Sequence, residues 1–106
     1  MRKADVYYRN TIAGELIENE DGYTFRYLAE YLSDEKSEPI SLNFPLREKA
    51  FFSKALFPFF DGLIPEGWLL NVAVNNWKID ANDRFSLLTT CCKDCIGAVG
   101  VVGVTN

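Results

Sequence analysis

Twelve residues near the middle of the chain, from Phe57 to Trp68, constrain the fold more than any other stretch. They read FPFFDGLIPEGW, so an aromatic run is followed by a tight turn and then by a proline. Pro65 is a favoured first residue of a helix, and Glu66 places a carboxylate at the positive end of the helix dipole. The segment therefore predicts an aromatic helix end in the core over Phe57 to Phe60, a turn, and a second helix from about Pro65 to Asn76.

The regions on either side of this segment predict two further helices. Apolar residues recur at helical spacing between Phe51 and Phe60, which predicts an amphipathic helix from about Ser53 to Phe60. Pro58 should kink or shorten that helix unless it falls within the first turn. Further on, Asn82 or Asp83 is the predicted N-cap of a helix that continues through Cys91.

The first half of the chain and its last residues have the composition of β-strands. Short β-branched and aromatic stretches are separated by a tight turn at Arg9-Asn10 and by a longer turn ending at Gly22, which predicts an antiparallel meander. A short helical turn follows the meander, and a polar surface loop comes after it. The predicted strands are Ala4 to Tyr8, Ile12 to Ile17, Tyr23 to Tyr27, Ile40 to Phe44, which Pro45 ends, and Ala98 to Val104.

Length and composition limit the classes of protein to which the chain can belong. With 106 residues and 48% apolar content, it fits a single domain over residues 1–106 that buries its core without metal or disulfide staples. A formal net charge of −4 argues against direct nucleic-acid binding, because Lys and Arg must neutralise phosphates there. No apolar run is long enough to cross a membrane, and three cysteines do not make a disulfide framework. We expect a cytoplasmic protein.

The sequence offers little catalytic chemistry. It contains no histidine, which excludes Ser-His, Cys-His and His-metal mechanisms. Asp61 and Glu66 could form a carboxylate pair across the turn, but stabilising the turn and the next helix start explains them better. Cys92 and Cys95 have C-x-x-C spacing without a second pair of ligands, so we interpret the thiols as buried small hydrophobes. We predict no catalytic residue, no metal site and no cofactor.

Trp68 has two interpretations that the residues alone leave open. It adjoins Leu69 and Leu70, and three neighbouring apolar residues cannot all point inward from one helix. An exposed tryptophan at the start of a rigid helix has the composition of a binding hot spot. The alternative is a tryptophan that is half-buried against the preceding helix.

Five groups of residues, taken in order, resemble the N-terminal subdomain of the HipA family of serine/threonine kinase toxins. They cover most of the chain: Gly14-Glu15-Leu16, Thr24-Phe25-Arg26-Tyr27, Ile40-Ser41-Leu42 with Pro45-Leu46, Phe59 to Gly67, and Phe85 to Leu88 leading to Asp94 to Val99. The resemblance implies a small α+β fold, in which a curved antiparallel sheet of about five strands packs with three to four short helices. The kinase core has no counterpart in these residues, so no kinase activity is implied.

The resemblance also implies a function. Some HipA-like systems are split into three genes, for a HipB-like DNA-binding protein, a short HipT-like kinase and a separate small HipS-like antitoxin. By resemblance, this chain is the antitoxin of such a HipBST-type system, binding the kinase and holding it inactive. The expected partner-binding residues are Ile64, Pro65, Glu66 and Trp68, with Trp68 blocking the active site or preventing closure over nucleotide.

Two alternatives belong to other classes. The chain could be a non-inhibitory scaffold, or the N-terminal piece of a longer HipA-type kinase, whose surface mainly contacts the HipB-like partner. An enzyme of unknown type would require a perturbed carboxylate pair in a deep pocket.

Overall fold

The computed structural model describes residues 1–64, 71, 74–76, 78–80, 82–92 and 98–104. Five strands and three helices have defined bounds within these ranges. The strands are Arg2–Tyr8 (β1), Thr11–Asn19 (β2), Gly22–Tyr27 (β3), Phe51–Ser53 (β4) and Val99–Val104 (β5), and the helices are Ala29–Ser33 (α1), Pro58–Asp61 (α2) and Arg84–Cys91 (α3). Helical backbone is also present at residues 71 and 74–76, within the helix predicted from Pro65 to Asn76, and the rest of that prediction lies outside the described residues.

The five strands form one antiparallel sheet in the order β4-β3-β2-β1-β5. The sheet with its short helices confirms the predicted α+β fold class. The meander of β1, β2 and β3 is confirmed, as is the return of the last strand, which pairs with β1.

Both hairpin turns of the meander are tight. Arg9 and Asn10 have φ values of 49° and 69°, the positive pair that a two-residue type I′ turn requires. The second turn is also two residues long, because Asn19 pairs with Gly22, so the prediction of a longer turn there is wrong. The positive φ predicted for Gly22 is confirmed at 147°, and a Cβ at this position would lie 2.4 Å from the Ser53 carbonyl oxygen.

The core lies on one face of the sheet, where alternate residues of the strands are buried under α2, α3 and the segment around Phe44. These buried strand residues are Ala4, Val6, Leu16, Phe25, Tyr27, Val99 and Val101. The opposite face has ion pairs from Glu15 to Lys3 and Arg26, with N–O distances of 2.9 and 2.7 Å. These cations, with Lys3 contributing most, lower the pKa of the Glu15 carboxyl against the opposing effect of its partial burial.

The strand predicted from Ile40 to Phe44 is wrong, because a turn occupies these residues. The Tyr27 hydroxyl donates to the Phe44 carbonyl and accepts from the Ile40 amide at 3.1 Å, so one side chain holds both ends of the segment. The Phe44 amide donates to the Ser41 carbonyl at 3.0 Å, which closes the turn. Leu42, on the face that a strand would bury, is 99% exposed. Side-chain bonds from β3 therefore replace the ladder that a strand would form.

The helix predicted from Ser53 to Phe60 is also wrong, because the aromatic residues divide between a strand and a short helix. Phe51 and Phe52 point to opposite faces of β4: Phe51 packs on Phe44, with a ring-centroid distance of 5.1 Å, while Phe52 is 58% exposed. The helix α2 begins only at Pro58, where a proline needs no amide partner. Pro58 thus lies in the first turn of α2, where a proline does not disrupt the helix.

The N-cap predicted for the last helix is confirmed at Asp83. Its carboxylate accepts from the Ser86 amide at 3.2 Å, and α3 continues to Cys91. The same carboxylate pairs with Arg2 of β1 at 2.9 Å, and Arg2 also pairs with Glu18 of β2 at 2.6 Å. The Arg2 guanidinium, assisted by Ser86, lowers the pKa of the Asp83 carboxyl to about 2 against the effect of burial. The network attaches the start of α3 to the sheet.

We predict that the Asp83→Asn variant loses less stability than the wild-type chain when the pH is lowered from 6 to 2. Because the folded pKa of about 2 lies below the unfolded value of about 3.9, the charged carboxylate stabilises the fold above pH 4, and this contribution is lost as pH falls towards 2. The part-exposed pair limits the effect to about 1 kcal/mol or less. Chemical denaturation from pH 6 to pH 2 measures it. Asp21→Asn, in the exposed β2–β3 turn, is the control, because it removes the same charge at a position outside the Arg2 network.

Candidate partner-binding surface

The helix α2 is fixed to the sheet by its aromatic residues. Phe60 is fully buried, and its ring centroid lies 5.6 Å from those of Phe25 and Phe44. Phe57 is also buried and contacts Phe44 at 5.1 Å. The prediction that Phe57 to Phe60 anchors a helix in the core is confirmed, although that helix is only the four residues of α2.

A hydrogen-bonded turn continues α2 as far as Ile64. The Gly62 amide donates to the Pro58 carbonyl at 2.9 Å, the Leu63 amide to Phe60 at 3.0 Å, and the Ile64 amide to Asp61 at 3.2 Å. The turn predicted from Asp61 to Glu66 is therefore present over its described part, Asp61 to Ile64. The chain has a defined position where the predicted partner-binding segment begins.

Three contacts hold this turn against the rest of the domain. The Arg84 Nε atom donates to the Asp61 carboxylate at 2.7 Å, and the Cys92 thiol donates to the Leu63 carbonyl at 3.2 Å. Ile64 packs in the core with only 3% exposure. Two of these contacts come from Arg84, the first residue of α3, and from Cys92, the residue after its end, so both ends of α3 hold the turn.

The four residues expected to bind a partner fall into two groups. Ile64 is buried, so its side chain positions the segment from within the core. Pro65, Glu66 and Trp68 lie outside the described residues, so their role stays a prediction. Of the carboxylate pair considered from sequence, Asp61 has an ion-pair partner in Arg84, while Glu66 lies outside the described ranges.

The electrostatics of the described residues indicate structural ion pairs. Glu15, Glu18 and Asp83 all have lowered pKa values, and each bonds directly to an arginine or lysine. A catalytic acid needs the opposite shift, towards a raised carboxyl pKa. Burial raises the pKa values of Tyr23, Tyr27 and Tyr31, which keeps these hydroxyls protonated. Within the described ranges, no group of His, Cys, Asp and Glu side chains has the arrangement of a metal site.

Sequence reasoning missed several features of the surface. Leu42 and Phe52 are exposed apolar side chains, and Phe52 lines an open groove between the loop at residues 43–47, β4 and α2. Arg47 lies beside this groove, with its guanidinium carbon 3.7 Å from the centre of the Phe51 ring. The Asp61–Arg84 pair joins residues 23 positions apart, a contact for which the sequence has no local signal.

None of the described helices has both the length and the hydrophobicity that a membrane crossing requires.

Comparison with known proteins decides the family. The model of the HipA N-terminal domain matches residues 4–102. The chain belongs to the HipA N-terminal domain family. A solved N-terminal domain of HipA toxin superposes with a TM-score of 0.76 at 30% identity, covering 100% of this chain and 95% of that domain.

Two relatives place this HipA N-terminal domain in different contexts. An uncharacterized protein of Haemophilus influenzae is 34% identical over 101 residues, which cover 95% of this chain and 92% of the relative. The putative kinase Y4mE of Sinorhizobium fredii is 29% identical over 100 residues, which cover 93% of this chain but only 24% of the kinase. The chain thus spans about a quarter of the length of the kinase relative.

We predict that Ile64 supports this surface of the HipA N-terminal domain through packing alone. Ile64→Ala should lower the free energy of unfolding by about 2–4 kcal/mol, because it leaves a cavity at the end of the turn. Ile64→Val should lower it by only about 1 kcal/mol. Urea denaturation measures both values. An alanine variant as stable as wild type would show that the side chain contributes no core packing.

Proposed function

We propose that this HipA N-terminal domain binds the core of a HipA-family serine/threonine kinase that lacks its own copy of the domain, and holds that kinase inactive. It would act in the cytoplasm as the antitoxin of a three-protein system. The observation that carries the proposal is that relatives of the domain occur in two contexts. The matched region is about a quarter of the putative kinase Y4mE, but it is nearly the whole of the Haemophilus protein.

Separation from the kinase changes what the contact surface must do. In a single chain, the covalent link keeps the domain at high effective concentration beside the core, so weak contacts suffice. A separate domain must bind with intrinsic affinity, and interfaces of that kind depend on a few aromatic or arginine hot spots. A tryptophan at the predicted start of a helix is the type of residue that such a contact needs.

The described part of the structure supports the choice of the segment after Ile64. The turn is fixed by the Asp61–Arg84 pair, by the bond from Cys92 to Leu63, and by the burial of Ile64. A binding segment that begins at a fixed point loses less conformational entropy on association. We therefore assign partner contact to Pro65, Glu66 and Trp68, with Ile64 as their anchor. Trp68 would either enter the active site or prevent closure of the kinase over nucleotide.

Removing Trp68 tests the proposal. Trp68→Ala should weaken binding to the kinase at least about 30-fold, the equivalent of a 2 kcal/mol hot spot, and should abolish rescue of growth on co-expression with the kinase. Isothermal titration with the purified kinase measures the affinity. Phe52→Ala is the matched control, because it removes an exposed aromatic ring from β4, outside the assigned segment. If Trp68→Ala folds normally and still neutralises the kinase at full strength, the assignment is wrong.

The scaffold alternative is favoured by the putative kinase Y4mE, in which the matched region is one part of a longer chain. In that case the domain would contact a HipB-like DNA-binding protein without inhibiting the kinase. Rescue of growth by the chain expressed as a separate protein distinguishes the two functions, since a scaffold would co-purify with its partners and leave the kinase toxic.

A further inference from the structure

Arg47 differs from the other arginines of the chain in its partners. The other four arginines each form an ion pair with a carboxylate: Arg2, Arg9, Arg26 and Arg84. Arg47 pairs with no carboxylate of the described residues, and its Nε and Nη2 atoms donate to the Lys49 and Ala50 carbonyls at 3.1 and 3.4 Å. A guanidinium has five N–H donors, so Arg47 keeps three of them for a ligand.

Arg47 also lines an open aromatic groove at the edge of the sheet. The groove has a volume of about 360 Å³, and five phenylalanines line it: Phe44, Phe51, Phe52, Phe57 and Phe59. Phe51 and Phe52 are successive residues of β4 and point to opposite faces of the sheet. A groove that both residues line therefore lies along the open edge of β4, which pairs with β3 on its other side.

The surface around this groove exposes apolar side chains. Five large apolar side chains are exposed in the described parts of the chain, and three of them belong to the loop beside the groove and to β4: Leu42, Leu46 and Phe52. Single exposed apolar residues are ordinary, but several within one short region are typical of an interaction site. Aromatic residues and arginine are also the types that contribute most to binding at interfaces.

The charge of this region is opposite in sign to that of the whole chain. Residues 39–60 contain three basic residues, Arg47, Lys49 and Lys54, and one acidic residue, Glu48, whereas the chain has 11 basic and 15 acidic residues. All four side chains are exposed, and none of the three cations forms an ion pair with a described carboxylate. An acidic ligand would therefore meet unpaired positive charge here.

We propose that this groove binds an extended segment of another protein in which acidic residues alternate with leucine or phenylalanine. A carboxylate of the segment accepts from the remaining N–H groups of Arg47, in the bidentate geometry that guanidinium and carboxylate share. The next apolar side chain but one lies between Phe52 and Phe59. Because the guanidinium carbon is held 3.7 Å from the centre of the Phe51 ring, Arg47 is already positioned before the segment binds.

A second copy and a nucleic acid fit this groove less well than an acidic peptide does. Two copies joined at β4 would bring Arg47 and Lys49 close to their own counterparts, and like charges destabilise strand pairing. A nucleic acid requires many phosphate contacts, and three cations in a chain of net charge −4 supply few. The proposed kinase contact begins after Ile64, so binding at the groove stands independently of the proposed function.

The test uses a synthetic peptide of about nine residues, which spans roughly 30 Å when extended. It alternates leucine with aspartate, is blocked at both ends and carries a fluorophore, so that anisotropy reports binding to the full chain. We expect saturable binding with a Kd below about 1 mM. Peptides that replace aspartate with lysine, or leucine with serine, should each bind at least about tenfold more weakly, because one loses the charge pairing and the other the apolar contact.

Substitutions in the chain locate the binding. Arg47→Gln should weaken binding of the leucine–aspartate peptide at least about tenfold. Arg9→Gln is the matched control and should bind as wild type does, because Arg9 also lies over an aromatic ring, that of Tyr8, but pairs with Glu38 away from the groove. Circular dichroism reports folding. If Arg47→Gln impairs it, Phe52→Ala removes an exposed ring of the groove instead and should weaken binding at least about fivefold.

The proposal is overturned if the wild-type chain does not bind the leucine–aspartate peptide, or if folded Arg47→Gln and Phe52→Ala variants both bind it as tightly as wild type does. Tighter binding of the leucine–lysine peptide, or of an oligothymidylate of about ten nucleotides, would also overturn it. Titration with the kinase separates this groove from the proposed antitoxin contact. Arg47→Gln should bind the kinase as wild type does, whereas a loss of kinase binding without any peptide binding would assign the groove to the kinase instead.

Discussion

The packing of Phe25 against aromatic rings from three segments outside its own strand is the interaction on which the rest of the structure depends. Phe25 lies at the centre of β3, and its ring centroid is 4.9 Å from Phe44, 6.2 Å from Phe51 and 5.6 Å from Phe60. These rings belong to the turn after residue 40, to β4 and to α2. One residue of the sheet thus fixes the position of three separate segments. Because α2 is held there, the turn that follows it ends at a defined place, with Ile64 in the core.

The sequence predicts the parts of the fold that depend on local signals. The alternation in β1, β2 and β3, the turn residues Arg9-Asn10, and the Asp83 cap each act within a few positions along the chain, and the structure has all of them. The β2–β3 turn is shorter than predicted, and the two wrong elements lie in the aromatic stretches between residues 40 and 60, where tertiary contacts decide. Tyr27 holds residues 40 and 44 from 13 and 17 positions away, and no local pattern indicates a bond of that kind.

In the candidate site, too, local features are predictable from sequence and tertiary contacts are not. The turn at Asp61 to Ile64 is predictable because it begins with Asp61-Gly62, which are turn residues, and is followed by Pro65, a helix-start residue. Its attachment to α3 is not predictable, because Arg84 and Cys92 come from 23 and 29 positions further along the chain. From sequence, Ile64 is grouped with Trp68 as an expected partner-binding residue, whereas the structure buries its side chain. Because Ile64 is buried, it anchors the segment after it, which we propose contacts the partner.

The central claim is that the segment beginning after Ile64 contacts a HipA-family kinase core. Hydrogen exchange, measured by mass spectrometry on the full chain with and without that kinase, tests it most directly. The account predicts slowed exchange at residues 65–70 in the complex, with exchange at residues 51–53 unchanged. Slowed exchange at residues 51–53 or on the ion-paired face of the sheet, with residues 65–70 exchanging as in the free chain, would contradict it.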